Sequence, residues 1–184
     1  MIRDQPWLAI VAALTILVAC SDGDDGGAAD RLADRQAEVA ERGADVMPFD
    51  LDATTHHFEP TETGLVQTVT ADDPVAGAIA IAGAGAGAGD GDGDQVELVR
   101  QHLVDEAERF ERGDFGDPAA IHGHDMPGLA ELEAGAGAIT VVYDELPDGA
   151  RLTYTTDDPA LVDALHHWGE AQTSDHGTHA QPDA

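Results

Sequence analysis

The chain has 184 residues with 37 acidic against 8 basic side chains, a formal charge of −29, and every basic residue is Arg. Such a balance speaks against nucleic acid as a partner, because a phosphate polyanion needs a basic face. The single cysteine, Cys20, rules out an internal disulfide and any zinc or iron–sulfur site built on several thiolates.

Residues 1–19 read as an export signal. Arg3 lies in a short charged start, and the apolar run over 7–18 is too short for a bilayer span, which takes roughly 20 residues. Leu17-Val18-Ala19-Cys20 resembles the bacterial lipobox, which implies that Cys20 becomes the lipidated first residue of a mature chain anchored to the extracytoplasmic membrane face. Asp4 departs from the usual charged start, and the alternative is an uncleaved anchor or a buried helix with an idle Cys20. Residues 20–45 open on Ser, Asp, Gly and Ala, too little apolar surface to offset ordering, and are expected to form an acidic flexible tether. Residues 46–180 then make one domain, and 181–184 a tail.

The domain carries an internal repeat. Phe58, Gly64, Thr68, Thr70 and Asp72-Asp73-Pro74 match Tyr143, Gly149, Thr153, Thr155 and Asp157-Asp158-Pro159 at one constant spacing. Each copy has two alternating segments joined by a turn, then a helix start in which Asp caps free N–H groups and Pro occupies the first turn. In the second copy the helix follows at once, over about 159–172, with Leu161, Leu165, Trp168 and Ala171 on one face. In the first it is delayed by a Gly/Ala/Asp-rich insert at 75–94 and runs over about 95–112, with Val96, Val99, Leu103, Ala107 and Phe110 inward. Two ββα units predict an α+β fold: a four-stranded antiparallel sheet with two helices on one face. Between them a packed crossover is expected, with a short helix from Asp117-Pro118 and a second turn near 129–133.

Nine histidines carry the strongest chemical signal, since neutral imidazole is a common transition-metal ligand. They fall in five clusters, at His56-His57, His102, His122-Gly123-His124, His166-His167, and His176 with His179. The run from His122 to Met126 offers two imidazoles, Asp125 and a thioether within five residues, a donor mixture that suits copper best and nickel or zinc less well. Its alternative is a loop in which His122 caps a helix end and Met126 fills the core. His102 with Glu106, and His166 with Glu170, stand one helical turn apart and could face a shared groove, or could be solvated surface pairs. The expected metal donors are therefore His122, His124 and Met126, helped by His102 or His166.

Asp90 to Asp94 opens like a calcium loop, but Gln95 and Gln101 stand where glycine and glutamate are required. No nucleophile elbow, phosphate loop or zinc-protease helix is present. Met47-Pro48-Phe49-Asp50-Leu51, Gly113-Asp114-Phe115-Gly116-Asp117-Pro118, Ile121-His122-Gly123, Met126-Pro127-Gly128-Leu129 and Ser174-Asp175-His176-Gly177 resemble segments of a small family of bacterial exported proteins that carries the label aspartate carbamoyltransferase. The resemblance implies export and no mechanism. The chain lacks a Ser-Thr-Arg-Thr type loop, and Arg100, Arg109, Arg112 and Arg151 do not form a carbamoyl-phosphate pattern, so that activity is not expected. The sequence thus points to a transition-metal module, with a partner- or ligand-binding lipoprotein as the alternative and a His/Glu enzyme behind both.

Overall fold

The computed structural model describes residues 25–72, 95–177 and 180–181. The expected export signal, Cys20, the insert at 75–94, His179 and residues 182–184 lie outside them. In chain order the elements are α1 (Asp25–Val46), a 3-10 turn (Leu51–Ala53), β1 (Thr54–Thr61), β2 (Gly64–Ala71), α2 (Gln95–Phe110), α3 (Gly116–His122) and α4 (Leu129–Gly135). After a second 3-10 turn come β3 (Thr140–Leu146), β4 (Gly149–Thr155), α5 (Pro159–His176) and β5 (Ala180–Gln181).

The fold is α+β, and both copies of the repeat are ββα. The strand order is β3-β4-β2-β1-β5, so the four repeat strands form an antiparallel sheet in which the second hairpin adds to the first through β2 and β4. That central pairing carries a local two-fold symmetry. Gly64 faces Thr155 and Thr70 faces Gly149, and exchanging each residue for its repeat equivalent 85 positions away (64 to 149, 70 to 155) turns one pair into the other. Gln67 and Leu152, themselves equivalents (67 to 152), sit opposite each other at the axis.

The symmetry explains two glycines. A Cβ on Gly64 would lie 2.0 Å from the Tyr154 carbonyl oxygen, and one on Gly149 would lie 2.0 Å from that of Val69, the equivalent position. Only glycine permits the strands to approach this closely.

One sheet face is buried, through Phe58, Leu65, Val69, Ala150, Leu152 and Tyr154, in the alternation that period-2 side chains demand. Tyr154 meets both repeat helices, Phe110 of α2 at 6.1 Å and Trp168 of α5 at 5.8 Å between ring centres, so both helices lie on that face. The N-cap works as the sequence implied: the Asp158 carboxylate accepts from the Ala160 N–H, and Pro159 begins α5. The crossover supplies α3 and α4. At Gly128, with φ 79°, a Cβ would lie 2.2 Å from the Ala164 carbonyl oxygen, which lets the segment leading into α4 press against α5.

Two features differ from the sequence reading. The flexible tether expected over 20–45 is helical from Asp25, and α1 packs on α3 and α5. The low-complexity composition belongs only to its first residues. Beyond them Arg35, Val39, Arg42 and Gly43 fall at helical spacing on one side, Val39 is buried, and Arg42 pairs with Glu38 one turn away. The second difference is β5, a two-residue strand parallel to β1 with Ala180 opposite His56, which adds a fifth member to the sheet.

Candidate functional site

The buried face becomes polar toward one end. There His56 of β1, His102 of α2, His122 at the end of α3 and His176 at the end of α5 surround a cavity of ≈ 30 Å³. Space of that size holds about one or two water molecules or a single ion, and no organic substrate. His122 and His176 stand 4.9 Å apart between ring centres and nearly perpendicular, at 83°. His56 lies 5.8 Å from His176. Phe49 connects the fourth ring, at 5.8 Å from His56 and 5.5 Å from His102. Gln67, Gln172, Glu106 and Asp117 complete the polar part of the wall, and Met47 lines it as well.

His122 is oriented by a carboxylate that is itself clamped. Its Nδ1 lies 2.9 Å from Asp175 Oδ2, while Arg35 of α1 donates from Nε to Oδ1 at 2.7 Å and from Nη2 to Oδ2 at 2.6 Å. The same Nη2 donates to the His122 carbonyl at 3.1 Å. Burial pushes the His122 pKa below its ordinary value, against the pull of the Asp175 hydrogen bond. A neutral ring next to a carboxylate places its proton on Nδ1, which leaves the Nε2 lone pair as the ring's acceptor. Burial alone would raise the Asp175 carboxyl, but the Arg35 and His122 bonds outweigh it and hold it below the usual range.

A second network lines the opposite wall. His102 Nε2 lies 3.4 Å from Glu106 Oε2, and Tyr154 donates its hydroxyl to Gln67 Oε1 at 2.7 Å with Glu106 Oε1 at 3.4 Å. Burial, then the Glu106 charge, push the Tyr154 phenol well above its ordinary pKa, so it stays a donor. For His102, burial acts downward, but the hydrogen bond and charge of Glu106 with the more distant Asp117 outweigh it and the pKa is raised. His176 is held through Nε2 to Gln172 Oε1 at 3.1 Å.

Of the five expected metal donors, the fold brings His102 and His122 to this pocket. His124 is exposed, Met126 is buried in the apolar core, and neither lines the cavity. His166 sits elsewhere, its Nε2 2.9 Å and 3.0 Å from the Thr61 and Gly64 carbonyl oxygens, where it donates across the β1–β2 turn. The two repeat His–Glu pairs have therefore diverged: His102–Glu106 is buried against the pocket, whereas Glu170 is exposed. Sequence reasoning missed His56, His176 and Met47 as wall residues and Asp175 as the carboxylate behind His122. Signals for some of them existed. His56 shares the inward alternation of Thr54 and Phe58, and Gln172 and Asp175 continue the buried stripe of Leu161, Leu165 and Trp168.

Among the described residues, no group of three or more His, Cys, Asp or Glu side chains is placed so that it could hold a metal ion. Also among them, no helix is long and apolar enough to cross a membrane. No protein-family description, curated protein or solved structure matches the chain.

Proposed function

We propose that this protein is a lipid-anchored, extracytoplasmic module that binds one transition-metal ion in the histidine-walled pocket. The observation that carries this reading is the meeting of four imidazoles, from four separate elements, around a space of ionic size. Two imidazoles on one ion, with nitrogens at about 2.0 Å from it, have ring centres about 5 Å apart. The His122–His176 and His56–His176 separations of 4.9 Å and 5.8 Å lie near that value, which supports the reading. Asp175 on Nδ1 of His122 is the outer partner that a ligating histidine ordinarily has. The thioether at the pocket belongs to Met47 and replaces Met126 in the donor mixture that favours copper over nickel or zinc. Cys20 supplies the membrane attachment in this proposal.

The tag-free mature domain is expected to retain about one equivalent of copper after dialysis and to melt higher with copper added. His122→Gln with His176→Gln is expected to abolish both effects, and His124→Ala to leave them intact. A protein that emerges metal-free, with a melting temperature indifferent to copper, nickel and zinc, leaves the second reading: an interaction lipoprotein whose buried imidazoles are structural. That second reading is favoured by the Arg35–Asp175–His122 clamp, which joins α1 to α3 and α5 without any ion. Mass spectrometry of membrane-extracted protein tests the anchor, with an acylated Cys20 at the N-terminus expected.

A further inference from the structure

Of the described helices only α2 and α5 pack on the repeat strands, and both lie on the buried face of the sheet. The opposite face is formed by the alternate residues of the same four strands and has no second layer among the described elements. At its centre Val66 and Thr153 stand opposite each other across the β2–β4 junction, with Val142 of β3 next to Thr153. Val142 is 47% exposed and is one of two large apolar side chains that the described residues present to solvent. Threonines from all four strands fill most of the remainder. Ionisable groups are few and fall mainly in one row: His57 of β1, Thr68 of β2, Arg151 of β4 and Asp144 of β3 stand side by side. Arg151 Nε has no hydrogen-bond partner among the described residues. Glu59 is the remaining ionised group that the four strands place on this side, so two carboxylates meet one guanidinium and the face is nearly neutral in a protein of charge −29.

The row is complementary to itself. It carries an imidazole at the β1 end and a carboxylate at the β3 end, and the strand order β3-β4-β2-β1 puts these at equal distances from the β2–β4 junction. A two-fold axis parallel to the strands at that junction lays β1 of one copy over β3 of the other. It sets His57 against Asp144 twice, Thr68 against Arg151 twice, and Val66 against Thr153 twice. We propose that this sheet face is the contact surface of a symmetric dimer, with a second copy of the same chain as its occupant and the two sheets packed face to face in the aligned manner. A strongly basic partner would be drawn to the acidic surfaces elsewhere on the molecule, whereas two acidic copies approach at least cost through the face where their charge is lowest. Four strands at sheet spacing give a patch about 19 Å by about 23 Å. That is the low end for a specific interface, so the dimer is reversible. The proposal depends neither on metal in the inner pocket nor on lipid at Cys20.

Sedimentation equilibrium of the full chain, kept reduced so that Cys20 forms no disulfide, tests the assignment. A monomer–dimer equilibrium with a Kd of roughly 1–100 μM is expected. It should tighten as sodium chloride rises from about 0.01 M to about 0.1 M, because screening relieves the repulsion between two acidic copies. Thr153→Arg, which sets a charge at the centre of the face, is expected to leave a monomer whose circular dichroism is native. His57→Asp opposes carboxylate to carboxylate and is expected to weaken the dimer at least about fivefold. Adding Asp144→His exchanges the two groups without altering the net charge, and is expected to restore the Kd to within about twofold of wild type. A wild-type chain that stays monomeric to about 0.5 mM, a dimer that persists in a folded Thr153→Arg variant, or a His57→Asp defect that Asp144→His does not repair would each overturn the proposal.

Discussion

Asp175 is the residue on which most of the local electrostatics converge, because it joins α1 to the pocket through one carboxylate. Replacing it by Asn leaves Arg35 with a neutral partner and leaves one amide oxygen where two carboxylate oxygens served Arg35 and His122. Loss of one member of a fully buried pair costs about 3–5 kcal/mol, but the Arg35 side chain is 38% exposed against 6% for Asp175, so water recovers part of the charge. Asp175→Asn is expected to cost roughly 2–3 kcal/mol in urea denaturation and to raise amide exchange in α1 before the sheet. Unchanged α1 exchange would show that the helix is held by Val39 packing instead. Two of the pocket histidines, His122 and His102, make opposite pH predictions. His122, with its folded pKa lowered, is neutral in the fold, so protonation of the unfolded chain near pH 6.5 favours unfolding. Its contribution is present above that pH and is lost as pH falls toward the folded value. His102, with its folded pKa raised, contributes stability that is complete below about pH 6.5 and disappears as pH rises through the folded value. Stability measured from pH 5 to 8 for His122→Gln and His102→Gln is therefore expected to give differences from wild type that slope in opposite directions. Parallel slopes would refute the assignment of a neutral His122 beside an ion-paired His102.

At the scale of elements, the β2–β4 junction is where two copies of one motif become a single sheet, and it depends on glycines that have no room for a side chain. Gly149→Ala and Gly64→Ala each drive a Cβ to within 2.0 Å of a backbone oxygen, a clash no rotamer relieves, and each is expected to cost about 3 kcal/mol or more. Gly137→Ala, with nothing near its would-be Cβ, is expected to change stability by less than about 0.5 kcal/mol. Equal tolerance at all three positions, read from denaturation midpoints, would argue against the symmetric pairing. These strands were legible because alternation, turn residues and the Asp-Asp-Pro helix start repeat locally, and each has a local physical cause. α1 was not, since its Gly- and Asp-rich beginning dominates the composition while the docking face of Arg35, Val39 and Gly43 acquires meaning only against α3 and α5. β5 is too short to have a period. The pocket was half legible: His102 and His122 stood out as a helical His–Glu pair and a His-Gly-His run. Their meeting with His56 and His176 is a product of long-range packing that no spacing encodes.

For the whole molecule the governing quantity is charge. Arg35, Arg42, Arg100, Arg109 and Arg112 each already face a carboxylate, so the described domain gains its local ion pairs and still carries a large uncompensated negative field. Self-repulsion of that kind destabilises the compact state, and salt screens it over a Debye length that falls from about 30 Å at 0.01 M to about 10 Å at 0.1 M. Screening also weakens the surface pairs, but exposed pairs contribute about 0–1 kcal/mol each and act over one contact, whereas the repulsion sums over the whole surface. Repulsion should win. Raising sodium chloride from about 0.01 M to 0.1 M is expected to stabilise the fold by about 1–2 kcal/mol, which for a chain of this size lifts the melting temperature by roughly 2–8 °C. Calorimetric scans at matched pH provide the measurement, and sucrose at equal osmolality serves as the control for non-ionic exclusion. A melting temperature that stays flat or falls with salt would mean that the Arg35–Asp175 and Arg109–Asp117 pairs outweigh the net field.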